Sequence, residues 1–200
     1  MAWVVGNRYL TTEEMVNNAY NIVLILGNNK GWSAEAVAAI LGNMESESTI
    51  NPGIWQSLDE GNMSGGFGLV QWTPATNFTE WADSNGYSWS DGEAQLIWID
   101  EYTTTFGQWI PTESYPLSFD EFKVSTESPE YLASAFLKNF ERAGVEVEAE
   151  RQANARKWYT YITDGTLPGV PDTPEYPSFT KTKRKKFNFI LFNRQRRTIV

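Results

Sequence analysis

With no cysteine and no histidine in 200 residues, the chemistry open to this chain is narrow. A thiol nucleophile, a serine activated by imidazole and a zinc site built on imidazole or thiolate are all excluded. Carboxylates, hydroxyls, amides and a few lysines remain, and carboxylates alone suffice to break a glycosidic bond. Two of them, Glu45 and Glu47, stand in Gly42-Asn43-Met44-Glu45-Ser46-Glu47-Ser48-Thr49-Ile50-Asn51-Pro52, where an apolar helix runs out into a loop. A carboxyl placed there, half in protein and half over a cleft, has its proton affinity raised by desolvation and can act as a general acid near neutral pH. The two flank the apolar face of the helix on opposite sides, so the helical wheel does not choose between them. Downstream, Gly66-Phe67-Gly68-Leu69-Val70-Gln71-Trp72 is a glycine-rich turn that presents an amide and an indole at its end. No metal and no cofactor is expected.

The elements that must position these groups are mainly helical. Thr11 and Glu14 form a capping box ahead of Met15, Ala19, Ile22, Val23 and Leu26, which predicts a helix ending at Gly27-Asn28-Asn29. Ser33 caps a second helix with Val37, Ile40, Leu41 and Met44 at helical spacing, and Glu35 in its first turn is a dipole partner without a catalytic role. From Asn51 to Pro74 the helical period is lost among turn clusters, which predicts a small irregular or β-hairpin lobe forming one wall of a groove. Further helices are expected over Thr76 to Asn85, with Phe78 and Trp81 inward, and from Asp91, with Leu96, Ile99, Tyr102 and Phe106 on one face. A short element carries Phe119 and Phe122. Ser128-Pro129-Glu130 opens a helix that ends at Phe140-Glu141-Arg142-Ala143-Gly144, and a last helix runs from about Glu146 to Ile162. The fold class is α+β, predominantly α, with an extended C-terminal tail.

Composition divides the chain into three pieces: an acidic domain over 1–164, a proline-rich linker over 165–180 and a basic, aromatic segment over 181–200. The net charge of −9 argues against nucleic-acid recognition, yet every Asp and Glu precedes Tyr176 while half of the Lys and Arg fall between Lys181 and Arg197. No apolar run approaches a transmembrane span, and the opening Met1-Ala2-Trp3-Val4-Val5-Gly6 is too short and lacks the basic flank of a secretory signal. Most of the nine Trp, nine Tyr and eleven Phe belong to the core. Trp55, Trp72, Trp81, Trp89 and Trp109 fall instead in polar, glycine-rich loops, a setting that suits the apolar faces and hydroxyl rims of sugars.

The two signature stretches, together with Trp55-Gln56, Leu58-Asp59-Glu60-Gly61-Asn62, Thr73-Pro74-Ala75 and Phe140-Glu141-Arg142, resemble phage tail lysozymes. The likeness is to the lysozyme domains of tail-tip knob proteins of small Bacillus podophages, and it runs from about Asn7 to Tyr161. More distantly, Glu47-Ser48 and Gly68-Leu69-Val70-Gln71 look like motifs of goose-type lysozymes and soluble lytic transglycosylases. The wider family's catalytic glutamate directly precedes a serine, with Asn-Pro four and five residues on; only Glu47 satisfies both. Glu47 is therefore the implied acid, and Glu45 a solvated helix-end residue.

The resemblance implies a lysozyme-like fold and cleavage of the β-1,4 bond between N-acetylmuramic acid and N-acetylglucosamine in peptidoglycan. Asp59 and Glu60 are candidates for a second carboxylate, or else simple turn acids. Glu141 is a third candidate, or an ion-pair partner of Arg142 or Arg151. Gln71, Trp72, Trp55 and Ser48 complete the substrate-facing set, with Gly66 and Gly68 letting backbone approach the saccharide. The implied setting is the virion tail tip, where the enzyme opens the host wall for genome delivery. Non-hydrolytic transglycosylation at the same bond and a non-catalytic wall-binding tail component are the alternative readings. The segment 181–200 is read as a docking piece for a neighbouring tail protein, against wall-polymer binding or membrane contact.

Overall fold

The computed structural model describes residues 2–142 and 147–165; the segment 166–200, with most of the expected linker and the whole basic tail, lies outside them. Among the described residues the protein is helical, with seven α-helices. Helix α1 (Thr12–Ile22) opens on the expected capping box: Thr11 Oγ1 accepts from the Glu14 amide and Glu14 Oε2 accepts from the Thr11 amide. Arg8 closes on the same carboxylate through both terminal nitrogens, at 2.6 and 2.8 Å. The helix does not stop at Gly27. It continues as a π-helix over Val23–Asn29, with Gly27 buried within it.

Helix α2 (Ala34–Ser48) starts where Ser33 Oγ accepts from the Ala36 amide at 3.1 Å. Every residue from Ala36 to Met44 is buried, so this helix is the core of the molecule and not a surface helix with one greasy stripe. It packs chiefly on α7 (Glu148–Asp164) and α6 (Pro129–Phe136), with α1 and α5 (Phe119–Val124) touching its flanks. Ser118 with Glu121 and Ser128 with Pro129 supply the caps of α5 and α6. Helices α3 (Thr76–Ser84) and α4 (Gly92–Ile97) complete the set. Both α4 and α6 run on into π-helical segments, Trp98–Tyr102 and Leu137–Glu141. Such segments recur at functional sites because the extra residue re-aims a side chain. Here the second of them delivers Glu141.

The lobe between α2 and α3 is irregular. Of the expected hairpin the described residues show two isolated antiparallel bridges, Trp55 to Phe67 and Phe67 to Trp72, and no strand. Left-handed backbone at Ser57, Leu58, Gly61, Gly68 and Gln71 interrupts every extended run before a ladder can form. What replaces the ladder is side-chain amides. Asn51 donates to the Gly6 and Arg8 carbonyls at 2.7 and 2.6 Å, and buried Gln95 donates to Pro52 and Trp89 while accepting from the Leu69 amide at 2.8 Å. Several aromatic expectations are corrected. Trp109 is core, packed on Phe119 and Phe122, whereas Phe106 is 58 % exposed because its chain leaves the helix before it can turn inward. No helix among the described residues is long and apolar enough to cross a membrane.

Candidate active site

The site is built where α2 and α7 come closest. A Cβ on Gly42 would lie 2.6 to 2.9 Å from the α7 backbone at Ala155 and 2.7 Å from the Arg151 carbonyl oxygen, so only glycine permits the approach. The next residue, Asn43, uses it. Its amide donates to the Ala39 and Ala133 carbonyls, and its Oδ1 accepts from Arg151 Nη1 at 3.2 Å. Asn43 thus ties α2 to α6 and holds the Arg151 guanidinium, which is 5 % exposed, beneath the end of α2.

Arg151 then joins two acids. Its Nη2 bonds Glu47 Oε1, and its Nη1 lies 3.0 Å from Glu141 Oε2. The Glu141 side chain is 6 % exposed and that of Glu47 21 %, so one carboxyl is sealed and the other looks outward. Glu47 and Glu141 thus meet on one buried guanidinium. Taken as a carboxylate, Glu141 has no hydrogen-bond donor on either oxygen, its contact with Arg151 being an ion pair. Burial, and then the neighbouring Glu47 carboxyl, hold the Glu141 carboxyl well above its ordinary value against the opposing pull of Arg151.

Glu47 faces a cleft of about 540 Å³, whose lining also includes Glu141, Trp55, Gln71, Trp72, Gln108 and Arg142. A neighbouring hollow of about 660 Å³ shares Asn77, Gln108 and Arg142 with it and has Trp81 and Phe106 in its walls. Gln71 adopts left-handed backbone at φ +49°, a conformation that costs a non-glycine residue energy and turns the chain so that Trp72 pairs back with Phe67. Its amide nitrogen donates to the Ile54 and Gly68 carbonyls at 3.2 and 3.1 Å. Oε1 is then the group it can offer a ligand, as an acceptor suited to an N-acetyl N–H. Trp72 and Trp55 line the cleft but are almost wholly buried. The first stacks on Phe78 at 4.6 Å between ring centres, and the second packs on Phe67 at the same distance.

Other predicted residues stand apart from the cleft. Ser48 is buried, with Oγ 2.8 Å from the Leu69 carbonyl, and so stitches the end of α2 to the 66–72 turn. Gly68, at φ +78°, is pressed against the Gln95 amide, where a Cβ would come within 2.7 to 3.0 Å of it. Both residues shape the wall from behind. Asp59 is exposed and accepts from the Asn62 amide at 3.0 Å; Glu60 lines a separate hollow with Ser88 and Trp89. Neither acid lines the Glu47 cleft. Glu45 is not solvated, since Lys157 Nζ at 2.5 Å and Trp158 Nε1 at 2.7 Å hold it against α7. Opposite faces of α2 thus send the two acids to different partners, and only Glu47 reaches the cleft.

Arg151 is the site residue that the sequence does not mark, since there it reads only as a structural ion-pair partner. An arginine within a helix full of polar residues, which also carries Arg156 and Lys157, has no distinguishing pattern. The signal that points to it is the Gly42-Asn43 pair, which marks a close helix approach with a buried amide beside the acid.

The profile of the family described as phage tail lysozyme matches residues 17–162, a span that contains α2, the 66–72 turn, Glu141 and Arg151. The chain belongs to that family. It is also 44 % identical over 164 residues to morphogenesis protein 1 of Bacillus phage B103. The match takes in 82 % of this chain and 44 % of the relative, so the chain spans less than half the length of that phage protein.

Proposed function

We propose that this phage tail lysozyme is a virion-associated peptidoglycan hydrolase that cleaves the β-1,4 bond between N-acetylmuramic acid and N-acetylglucosamine. Glu47 is the general acid. It protonates the leaving oxygen as oxocarbenium character builds on the neighbouring carbon. The observation that carries this reading is the Glu47 side chain in the lining of a polar cleft, on the same arginine as a buried second carboxyl that cannot ionise freely beside it. Gln71 Oε1, Trp55 and Trp72 are the groups that would hold the saccharide. Asp59 and Glu60 are left as turn acids.

A specific feature keeps transglycosylation as the second reading. Among the described residues the acids that line the cleft are Glu47 and Glu141, and both sit on Arg151, so neither is placed opposite the other as a separate water-activating base would be. Completion of the reaction then falls to a water held by other groups or to the substrate's own hydroxyl. Mass spectrometry of muropeptides released from purified walls decides it. Reducing ends are expected; 1,6-anhydro ends would replace hydrolysis with ring closure, and no release of glycan fragments would remove both readings.

In the virion, the basic segment 181–200 is assigned to docking on a neighbouring tail protein, supported by its charge contrast with the acidic body and by aromatics framed by Lys and Arg. Deleting residues 179–200 should leave wall digestion intact and remove the protein from purified particles. Retention in the particles after truncation would exclude docking through this segment.

A further inference from the structure

The buried ion pair beneath the cleft contains one more acid than an arginine–glutamate pair requires. Two carboxyls, on Glu47 and Glu141, and one guanidinium, on Arg151, share the site, and both carboxyls meet the same cation. Two carboxylates on one buried cation would leave a negative charge uncompensated, so the arrangement holds one proton, and with it the group is neutral overall. The sealed member keeps that proton more easily than the one that looks into the cleft, because the cost of burying charge falls on it.

We propose that Glu141 is the proton partner of Glu47: it stores the proton in the resting enzyme and passes it to Glu47 when substrate covers the cleft. This rests on the reading of Glu47 as the general acid. The proton moves from the Glu141 carboxyl to the Glu47 carboxylate, its neighbour on Arg151, and Glu47 then gives it to the glycosidic oxygen as the C–O bond breaks. Glu141 is left as a carboxylate beside Arg151, which stays in place and neutralises it. The proton lost by the attacking hydroxyl or water restores the pair through Glu47. Glu141 touches no reacting atom in this sequence, so it is a positioning residue for the proton.

The charged groups around the pair allow no rival donor among the described residues. From α2 comes Glu47 alone, since Glu45 is held by Lys157 and Trp158. The segment after α6 adds Arg142, whose guanidinium donates to the Gln108 and Asn139 carbonyls. Helix α7 adds Arg151, while Glu148 is taken up by Ser134 and Lys138. From the N-terminal segment Tyr9 reaches the cleft, and the 66–73 wall contributes no ionisable side chain.

The decisive variant is Glu141→Gln, which keeps the shape and an N–H for Glu47 but cannot store a proton. Without the stored proton, Glu47 is left as a plain ion pair with Arg151. The alkaline limb of the activity profile should then move to lower pH by one unit or more, so activity at pH 7 falls about tenfold and returns on acidification. A profile that keeps its position and only loses amplitude would overturn the proposal. Infrared difference spectroscopy of the unmodified protein tests it without any variant: a protonated-carboxyl C=O band at neutral pH is expected, and its absence overturns the stored proton. Glu47→Gln separates the two claims. If that variant is inactive at every pH while the Glu141→Gln profile is unmoved, only the proton partnership fails. If it retains activity, the acid assignment and the partnership fall together.

Discussion

Glu47→Gln should remove wall-lytic activity by a factor of about a thousand or more while leaving the fold intact. The loss expected for one general acid is on the order of 10² to 10⁴, and the amide keeps the size and hydrogen-bonding reach of the carboxyl without its labile proton. The contact with Arg151 weakens from charge-assisted to neutral, but Glu141 remains to satisfy the guanidinium at 3.0 Å. Turbidity loss on purified walls, measured per folded molecule, gives the comparison. Glu45→Gln is the matching control. Its side chain is committed to Lys157 and Trp158 on the other face of α2, so activity should stay within about twofold even where some stability is lost with the ion pair. Equal loss in both variants would mean that the end of α2, and not one proton, is what matters.

That contrast also shows how far the site is legible in the sequence. The caps at Thr11, Ser33, Ser118 and Ser128 turn local hydrogen-bonding chemistry into helix starts; the first two and Ser128 are legible as caps, and the element after Ser118 as a short one. Resemblance alone separates Glu47 from Glu45 in the sequence, because a wheel gives both acids similar angles. The structure separates them by partner: a buried arginine for one, a lysine and an indole for the other. What the sequence does not carry is what depends on three helices at once. Glu141 sits in a π-helical turn whose extra residue has no sequence signature, and Arg151 meets it across 10 positions of chain and a helix boundary. The expectation that an apolar helix tip alone sets the acid is incomplete for the same reason. Tertiary charges reach the tip from α7 and from the end of α6.

The role of the wall residues shifts as well. Ser48 and Gly68, expected to face substrate, each instead fix the turn that carries Gln71. Serine directly after the acid therefore has a physical purpose: a hydroxyl small enough to be buried there bonds the Leu69 carbonyl and sets the distance between acid and wall. A larger or apolar side chain would leave that carbonyl without its partner and let the cleft widen.

Arg151→Met is the substitution expected to damage stability most. Methionine keeps the aliphatic bulk of the side chain but strips the cation from between two acids that are 6 % and 21 % exposed, and it orphans Asn43 Oδ1. Breaking a buried ion pair from one side costs about 3 to 5 kcal/mol, a large share of a typical stability of about 5 to 15 kcal/mol. The cost must depend on pH, and its sign is fixed by Glu141. Its folded carboxyl already binds a proton more tightly than the ordinary value of 4.5, so the stability tied to it is fully present below that pH and is lost as pH rises through the folded value. Removing Arg151 takes away the one neighbour that pulls the other way, which extends the loss to a higher pH and makes it larger. Urea unfolding should therefore find the variant close to the unmodified protein at pH 4 and weaker by several kcal/mol at pH 8, about 3 to 5 if both acids are left unpaired. Adding Glu141→Gln to Arg151→Met should recover much of the deficit at pH 8, because no sealed carboxyl then remains to be ionised. It should not recover lysis, since neither the stored proton nor the cation that receives its charge would be present.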